Sequence, residues 1–235
     1  MSEPTGPHPF AMPADVTARV VAKRGREHCF DDLDPRTTAL LVVDLQNGFM
    51  LREVAHAFVP AARGIVPNVN RLAAALRAAG GTVAWIINTF TEESRRSWSH
   101  LHTDMMRPEL TERRIAAMSE GSVGHRLYGG LETDPGDLFV RKTRFSAFIQ
   151  GSSDLEARLR ERGVRTVLVA GCATEVCCES TARDAMMLDF RTVMVSDATA
   201  TTDDRAHAEA LTCFYLHFGD VMDTDALVGL IARRS

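Results

Sequence analysis

Three residues in this chain are of the right types to perform nucleophilic chemistry together: Cys177, Asp44 and Lys142. A thiol is a strong nucleophile once it loses its proton, a carboxylate within hydrogen-bond reach can take that proton, and an ammonium favours the resulting thiolate. A cysteine in the first turn of a helix also sits at the positive end of the backbone dipole, which favours thiolate further. The free N–H groups at such a helix start can hold an oxyanion. Nucleophile, base, cation and oxyanion donors are the parts that acyl transfer needs.

Each residue also has a purely structural reading. A cysteine in a protein of strands and helices is commonly a small buried hydrophobe. A strand-end aspartate is often a cap or loop ligand, and a lysine is usually a solvated charge. Cys178 competes with Cys177, and since neighbours on a helix point ~100° apart, only one of them can face the strand edge.

The surrounding elements decide whether the three can meet. Thr38 to Asp44 is a near-continuous apolar run of strand length, the pattern of a strand buried on both faces. Ala62 to Ala79 carries Ile65, Val69, Leu72, Ala73 and Leu76 at helical spacing and is stopped by Gly80-Gly81. Further strands are predicted at Val83 to Ile87, Leu138 to Val140, Arg165 to Ala170, Phe190 to Val195 and Asp220 to Met222. Helices are predicted at Asp154 to Arg162, Glu175 to Leu188, Asp203 to His217 and Thr224 to Ala232. This alternation predicts a single-domain, doubly wound α/β fold, with a mainly parallel sheet and helices on both faces. In such sheets ligands lie outside the carboxyl ends of the strands. Asp44 ends the first strand, Lys142 follows the short strand at 138–140, and Cys177 opens the helix after 165–170, so all three fall at that edge.

Two regions break the rhythm. Residues 1–36 read as an irregular N-terminal arm in which Pro4, Pro7, Pro9 and Pro13 interrupt any early helix. Thr89 to Pro135 is a long stretch rich in charge, Met, Ser and Gly, of the kind that forms lids and binding loops, with some helix near Glu109 to Met118.

Composition limits the function classes. Of 235 residues, 45% are hydrophobic and 25% charged, enough apolar material for one sizeable core. The net charge of -4 and the absence of a basic stripe argue against a nucleic-acid partner. No apolar run approaches the ~18 residues of a membrane span, and no signal-peptide pattern is visible at the start. Five cysteines, three of them within seven residues, do not form a disulfide framework. A cytoplasmic setting is the resulting expectation.

Three sequence blocks together resemble a known family: Ala39-Leu-Leu-Val-Val-Asp-Leu-Gln-Asn-Gly-Phe49, Lys142-Thr-Arg-Phe-Ser-Ala-Phe148, and Gly171-Cys-Ala-Thr-Glu-Val-Cys177-Cys-Glu-Ser-Thr181-Ala-Arg-Asp-Ala185. They look like the signature blocks of the isochorismatase-like cysteine hydrolases, and Val193 to Ala198 fits as well; the likeness spans roughly residues 38 to 222, within a domain taken as 37–235. The resemblance implies an Asp44–Lys142–Cys177 trio. It selects Cys177 over Cys178, because the family's nucleophile stands three residues after the Thr of Gly171-x-x-Thr174. It also implies a cis peptide at Cys172–Ala173 and an oxyanion hole from the N–H groups of Ala173 and Cys177.

The implied activity is amidohydrolysis of a small amide, ureido or carbamoyl compound through a thioester on Cys177, with no cofactor, by a homodimer or homotetramer. Gln46, Asn47, Phe49, Trp98, Arg144 and Thr174 are the candidate substrate-binding residues, with Arg144 suited to grip a carboxylate through its planar fork. The nicotinamidases of the group carry an Asp-x-His segment and a further His that bind a metal. Gly48 to Pro60 lacks that pattern, so no metal is expected. The alternatives are a nicotinamidase-like activity, isochorismatase-type hydrolysis of an ether or ester without a covalent intermediate, for which Cys177 is not needed, and a non-catalytic binding protein. Asp189 stands where the family usually has Gly, a departure expected to stay local.

Overall fold

In the computed structural model, which describes residues 6–234, the apolar runs form six strands: β1 Thr38–Val43, β2 Thr82–Asn88, β3 Leu138–Lys142, β4 Thr166–Cys172, β5 Arg191–Ala200 and β6 Asp220–Met222. They make one all-parallel sheet in the order β3-β2-β1-β4-β5-β6. Every residue of β1 and β4 is buried, as expected for central strands covered on both faces.

Strand alternation divides the core in two. Leu40 and Val42 of β1 point to one side with Leu168 and Ala170 of β4, where they meet α3 (Val66–Ala78) and α10 (Thr224–Ala232) through Val69, Leu72, Leu76, Leu227 and Ile231. Ala39, Leu41 and Val43 point to the other side. There they meet α7 (Leu155–Glu161), α8 (Glu179–Met187) and α9 (Asp204–His217) through Leu155, Leu159, Ala182, Ala185, Leu211 and Phe214. The doubly wound α/β architecture expected from the alternation is what the chain adopts.

The strand order reverses between β1 and β4. Chain leaving the carboxyl ends of these neighbours departs to opposite sides and opens a crevice between them. At that seam Gly171 has φ +117°, and a Cβ there would lie 2.0 Å from the Val43 carbonyl oxygen. Only glycine lets β4 approach β1 this closely, one residue before Asp44.

The N-terminal arm differs from the irregular segment expected. Ala14–Arg24 is a helix, α1, that packs on α9 with Val16 and Val20 buried. Pro13 precedes the helix instead of interrupting it, and Gly25 closes it in a left-handed conformation. Polar contacts tie the arm down on both sides of the helix. His8 is bonded to Asp204 and to the Thr201 backbone. The buried Asp220 carboxylate receives hydrogen bonds from the backbone N–H groups of Cys29 and Phe30 and pairs with His28 at 2.9 Å. Pro4 lies outside the described residues.

The stretch after β2 is more ordered than its composition suggested. It contains α4 (Glu92–Ser97), α5 (Ser99–Thr103) and α6 (Pro108–Met118), and then returns through turns to β3. A Thr91 capping box starts α4, with Ser94 as the reciprocal partner. The remaining short helix, α2 (Asn47–Met50), follows β1 directly. Asp189, just past α8, has φ +64°. Aspartate tolerates this left-handed turn better than most residues, so the substitution for glycine stays local.

Candidate active site

Asp44, Lys142 and Cys177 come from three distant parts of the chain and meet at one rim of the sheet. Asp44 is the first residue past β1, with φ +56° and its N–H donated to the Ile86 carbonyl of β2. Lys142 ends β3. Cys177 lies in a single π-helical turn, Thr174–Cys178, between β4 and α8. The Lys142 Nζ stands 2.8 Å from Asp44 Oδ2, and both side chains are completely buried. The Cys177 thiol lies within hydrogen-bonding reach of both groups.

The Lys142–Asp44 contact is an ion pair without hydrogen-bond alignment. Neither carboxylate oxygen has an aligned donor, and Lys142 Nζ directs its hydrogen bond to the Arg144 carbonyl at 3.0 Å. Burial acts to lower the lysine's pKa, but the neighbouring Asp44 and Cys177 outweigh it and leave the ammonium above the ordinary lysine value. This lysine is therefore a fixed cation.

The thiol departs from the sequence expectation. Burial pushes the Cys177 pKa up to about 12; Lys142 lowers it, while Asp44 raises it. The helix start and the lysine were expected to favour thiolate, but withdrawal from water is the larger effect. At neutral pH the site rests as a neutral thiol between a carboxylate and an ammonium. Proton transfer to Asp44 therefore has to accompany attack. Cys178 is fully buried and its thiol points at the Ala170 carbonyl, away from this cluster.

The Cys172–Ala173 peptide is cis. In the π-helical turn, the Val176 and Cys178 N–H groups both donate to the Ala173 carbonyl. Those of Ala173 and Cys177 have no acceptor outside the turn among the described residues.

The expected substrate-binding residues divide sharply. Gln46 is completely buried and used up as a brace: its amide donates to the Asn88 and His125 carbonyls and accepts from the Asn88 N–H. Thr174 is buried against His207 Nδ1 at 2.9 Å. Phe49 packs in the core against His56, and the Asn47 side chain holds the Val123 carbonyl. Each of these four is tied to the scaffold by a contact of its side chain. Trp98 is half-buried, edge-on to Phe145 with ring centres 4.7 Å apart. The Arg144 guanidinium bonds to the Thr143 carbonyl and hydroxyl and to the Ser97 hydroxyl, so it is not a free carboxylate grip.

Sequence reasoning missed Arg114. On α6 it is only 8% exposed, and its charge acts on both Cys177 and Asp44. It shares a buried face with Thr111, Ala117 and Met118 at helical spacing, the one signal that could have found it, but an arginine in a charged helix reads as solvated. Among the described residues, no group of three or more His, Cys, Asp or Glu side chains is placed to hold a metal ion. No described helix is long and apolar enough to cross a membrane.

Comparison with known proteins gives concordant results. Residues 38–226 match the isochorismatase domain family. The ureidoacrylate amidohydrolase RutB of Agrobacterium fabrum is 33% identical over 181 residues, covering 71% of this chain and 77% of that protein. The ureidoacrylate amidohydrolase RutB of Klebsiella pneumoniae is 31% identical, covering 82% of this chain and 86% of the relative. Among solved structures, a cysteine hydrolase from Pseudomonas syringae pv. phaseolicola superposes with a TM-score of 0.74 at 25% identity, over 87% of this chain and 96% of that one.

Proposed function

The chain belongs to the isochorismatase family and is a hydrolase of carbon–nitrogen bonds other than peptide bonds, and from that premise we propose that it cleaves a small amide or ureide through a thioester on Cys177. The observation that carries the reading is the meeting of a buried carboxylate, a buried ammonium and a thiol at the carboxyl ends of β1, β3 and β4, with 2.8 Å between the charged groups.

In the proposed reaction, Asp44 accepts the Cys177 proton as the sulfur attacks the substrate carbonyl carbon. The carbonyl oxygen becomes an oxyanion held by the Ala173 and Cys177 N–H groups, each such donor being worth several kcal/mol of transition-state stabilisation, roughly 3–4. Collapse breaks the C–N bond. The departing nitrogen takes the proton from Asp44 and leaves as ammonia or an amine. Water then attacks the thioester, Asp44 takes its proton, and return of that proton to sulfur regenerates the thiol, with a carboxylic acid as product from an amide and a carbamic acid from a ureide. Lys142 offsets the negative charge that passes between sulfur and carboxylate. No step calls on a metal or cofactor. A homodimer or homotetramer in the cytoplasm completes the reading; the five free cysteines are consistent with a reducing compartment.

Ammonia release from a panel of amides and ureides tests the proposal. Turnover should vanish in Cys177→Ala, and mass spectrometry of quenched wild-type enzyme should find an acyl adduct on the peptide containing Cys177. Full turnover in the alanine variant would overturn the covalent route, and a noncovalent hydrolysis would take its place.

A further inference from the structure

Buried polar atoms without partners mark places where a ligand or water must complete the hydrogen bonding. Six such side-chain atoms occur among the described residues: both Asp44 carboxylate oxygens, His56 Nε2, His102 Nδ1, Glu175 Oε2 and His207 Nε2. Glu175 and His207 are held through their other polar atoms by Thr201 and Thr174. The four remaining atoms belong to Asp44, His56 and His102, and all three residues lie in the field of one charge, that of Arg114.

Arg114 lacks a polar partner among the described residues. More than nine-tenths of it is buried, yet its guanidinium has no acid and no hydrogen-bond acceptor among the described residues. Its neighbours are aromatic faces, with the Trp98 and Phe145 ring centres 5.7 and 5.9 Å away. His56 and His102 supply no counter-charge, and burial lowers the pKa of both, which disfavours their adding a further positive charge. Around the nucleophile there are thus two buried cations, Lys142 and Arg114, and one carboxylate, while the thiol is neutral. Asp44 is engaged by Lys142. One positive charge is left over without a salt-bridge partner, largely withdrawn from water and within the field of the reacting groups, where an uncompensated ion is costly.

We propose that Arg114 is a specificity-determining residue that receives a carboxylate of the substrate, so that the enzyme acts on acidic amides or ureides and not on neutral ones. The inference rests on the amidohydrolase reading above and narrows its substrate class. The planar fork of Arg114 suits a bidentate carboxylate, and the rings of Trp98 and Phe145 flank the guanidinium, an apolar setting in which such a pair is stronger than in open water. Arg144, which borders the same Trp98 ring at 5.4 Å, holds the edge of the site through its bonds to Thr143 and Ser97.

The test pairs N-carbamoyl-β-alanine with its methyl ester, which differ only in charge at the far end. Wild-type kcat/KM should favour the acid by about a hundredfold or more, the usual size of a buried charge-assisted pair. Arg114→Met should bring the acid-to-ester ratio near one. Arg114→Lys, which keeps the charge and loses the fork, should give an intermediate ratio and shows that the site still folds. A binding arm needs no turnover. Cys177→Ala should bind succinamate at least tenfold more tightly than succinamide by calorimetry, and the added Arg114→Met change should remove the difference. A wild-type preference that persists in Arg114→Met, or equal binding of the two probes to Cys177→Ala, overturns the inference. Ammonia release that survives in Cys177→Ala would instead overturn the covalent mechanism, and the binding comparison would still decide the role of Arg114.

Discussion

Removing the Lys142 ammonium alone, as in Lys142→Met, should destabilise the fold. At 2.8 Å and an effective dielectric of about 20, the Lys142–Asp44 attraction is ~6 kcal/mol. Relief of the lysine's own desolvation returns part of that loss, so a net penalty of about 3–5 kcal/mol is expected, the usual cost of breaking a buried pair by removing one partner. Urea unfolding of wild type and variant at pH 7 reads the difference directly. The double variant Asp44→Asn/Lys142→Met, with neither charge, should recover most of the stability lost. A penalty below about 1 kcal/mol, or a double variant no more stable than Lys142→Met, would refute the claim that these groups form a dry, mutually dependent pair.

Thiol chemistry gives another expectation. With its pKa at about 12, Cys177 should react with iodoacetamide at pH 8 roughly a thousandfold more slowly than an unperturbed thiol of pKa ~8.5, because its thiolate fraction is smaller by about that factor; site-resolved mass spectrometry gives the rate, and labelling as fast as a free peptide's would contradict a protonated resting state. Acid should also weaken the fold through its buried histidines. Burial lowers His56 to about 3 and His207 to about 4, so the unfolded chain binds more protons below about pH 6.5. Stability present above that pH is lost as pH falls toward 4, by up to about 2 kcal/mol per histidine at pH 5. Urea midpoints across pH 5 to 7 should show this slope, and a His56→Phe/His207→Asn variant should flatten it.

The parts of the fold legible in the sequence were those written in hydrophobic period. The runs at Leu40–Val43 and Val167–Ala170 read as central strands because both faces of each are covered, and a strand-end rule then set Asp44, Lys142 and Cys177 on one rim. Edge strand β3 read as shorter than it is because Arg141 faces outward and ends the apolar run. Helix α1 was missed because it buries only Val16 and Val20 amid polar and charged residues, a face too narrow to register as periodic. The protonation state of Cys177 was also misread. Helix position and a neighbouring cation are visible in a sequence, but the degree of withdrawal from water that outweighs them is a property of the assembled tertiary structure. Gln46 and Thr174 looked like pocket residues for the same reason: what a polar side chain is already bonded to cannot be read from its type.

The packing of α1 bears on where this protein can be cut. The family match begins at residue 38, yet Val16 and Val20 lie in the same apolar cluster as Leu211, Phe214 and Tyr215 of α9. A clone trimmed to the family boundary would strip one wall from that cluster and leave the Asp220 carboxylate, now fully enclosed, without its His28, Cys29 and Phe30 partners. The segment that evolves as the family and the segment that folds as a unit are therefore not the same length.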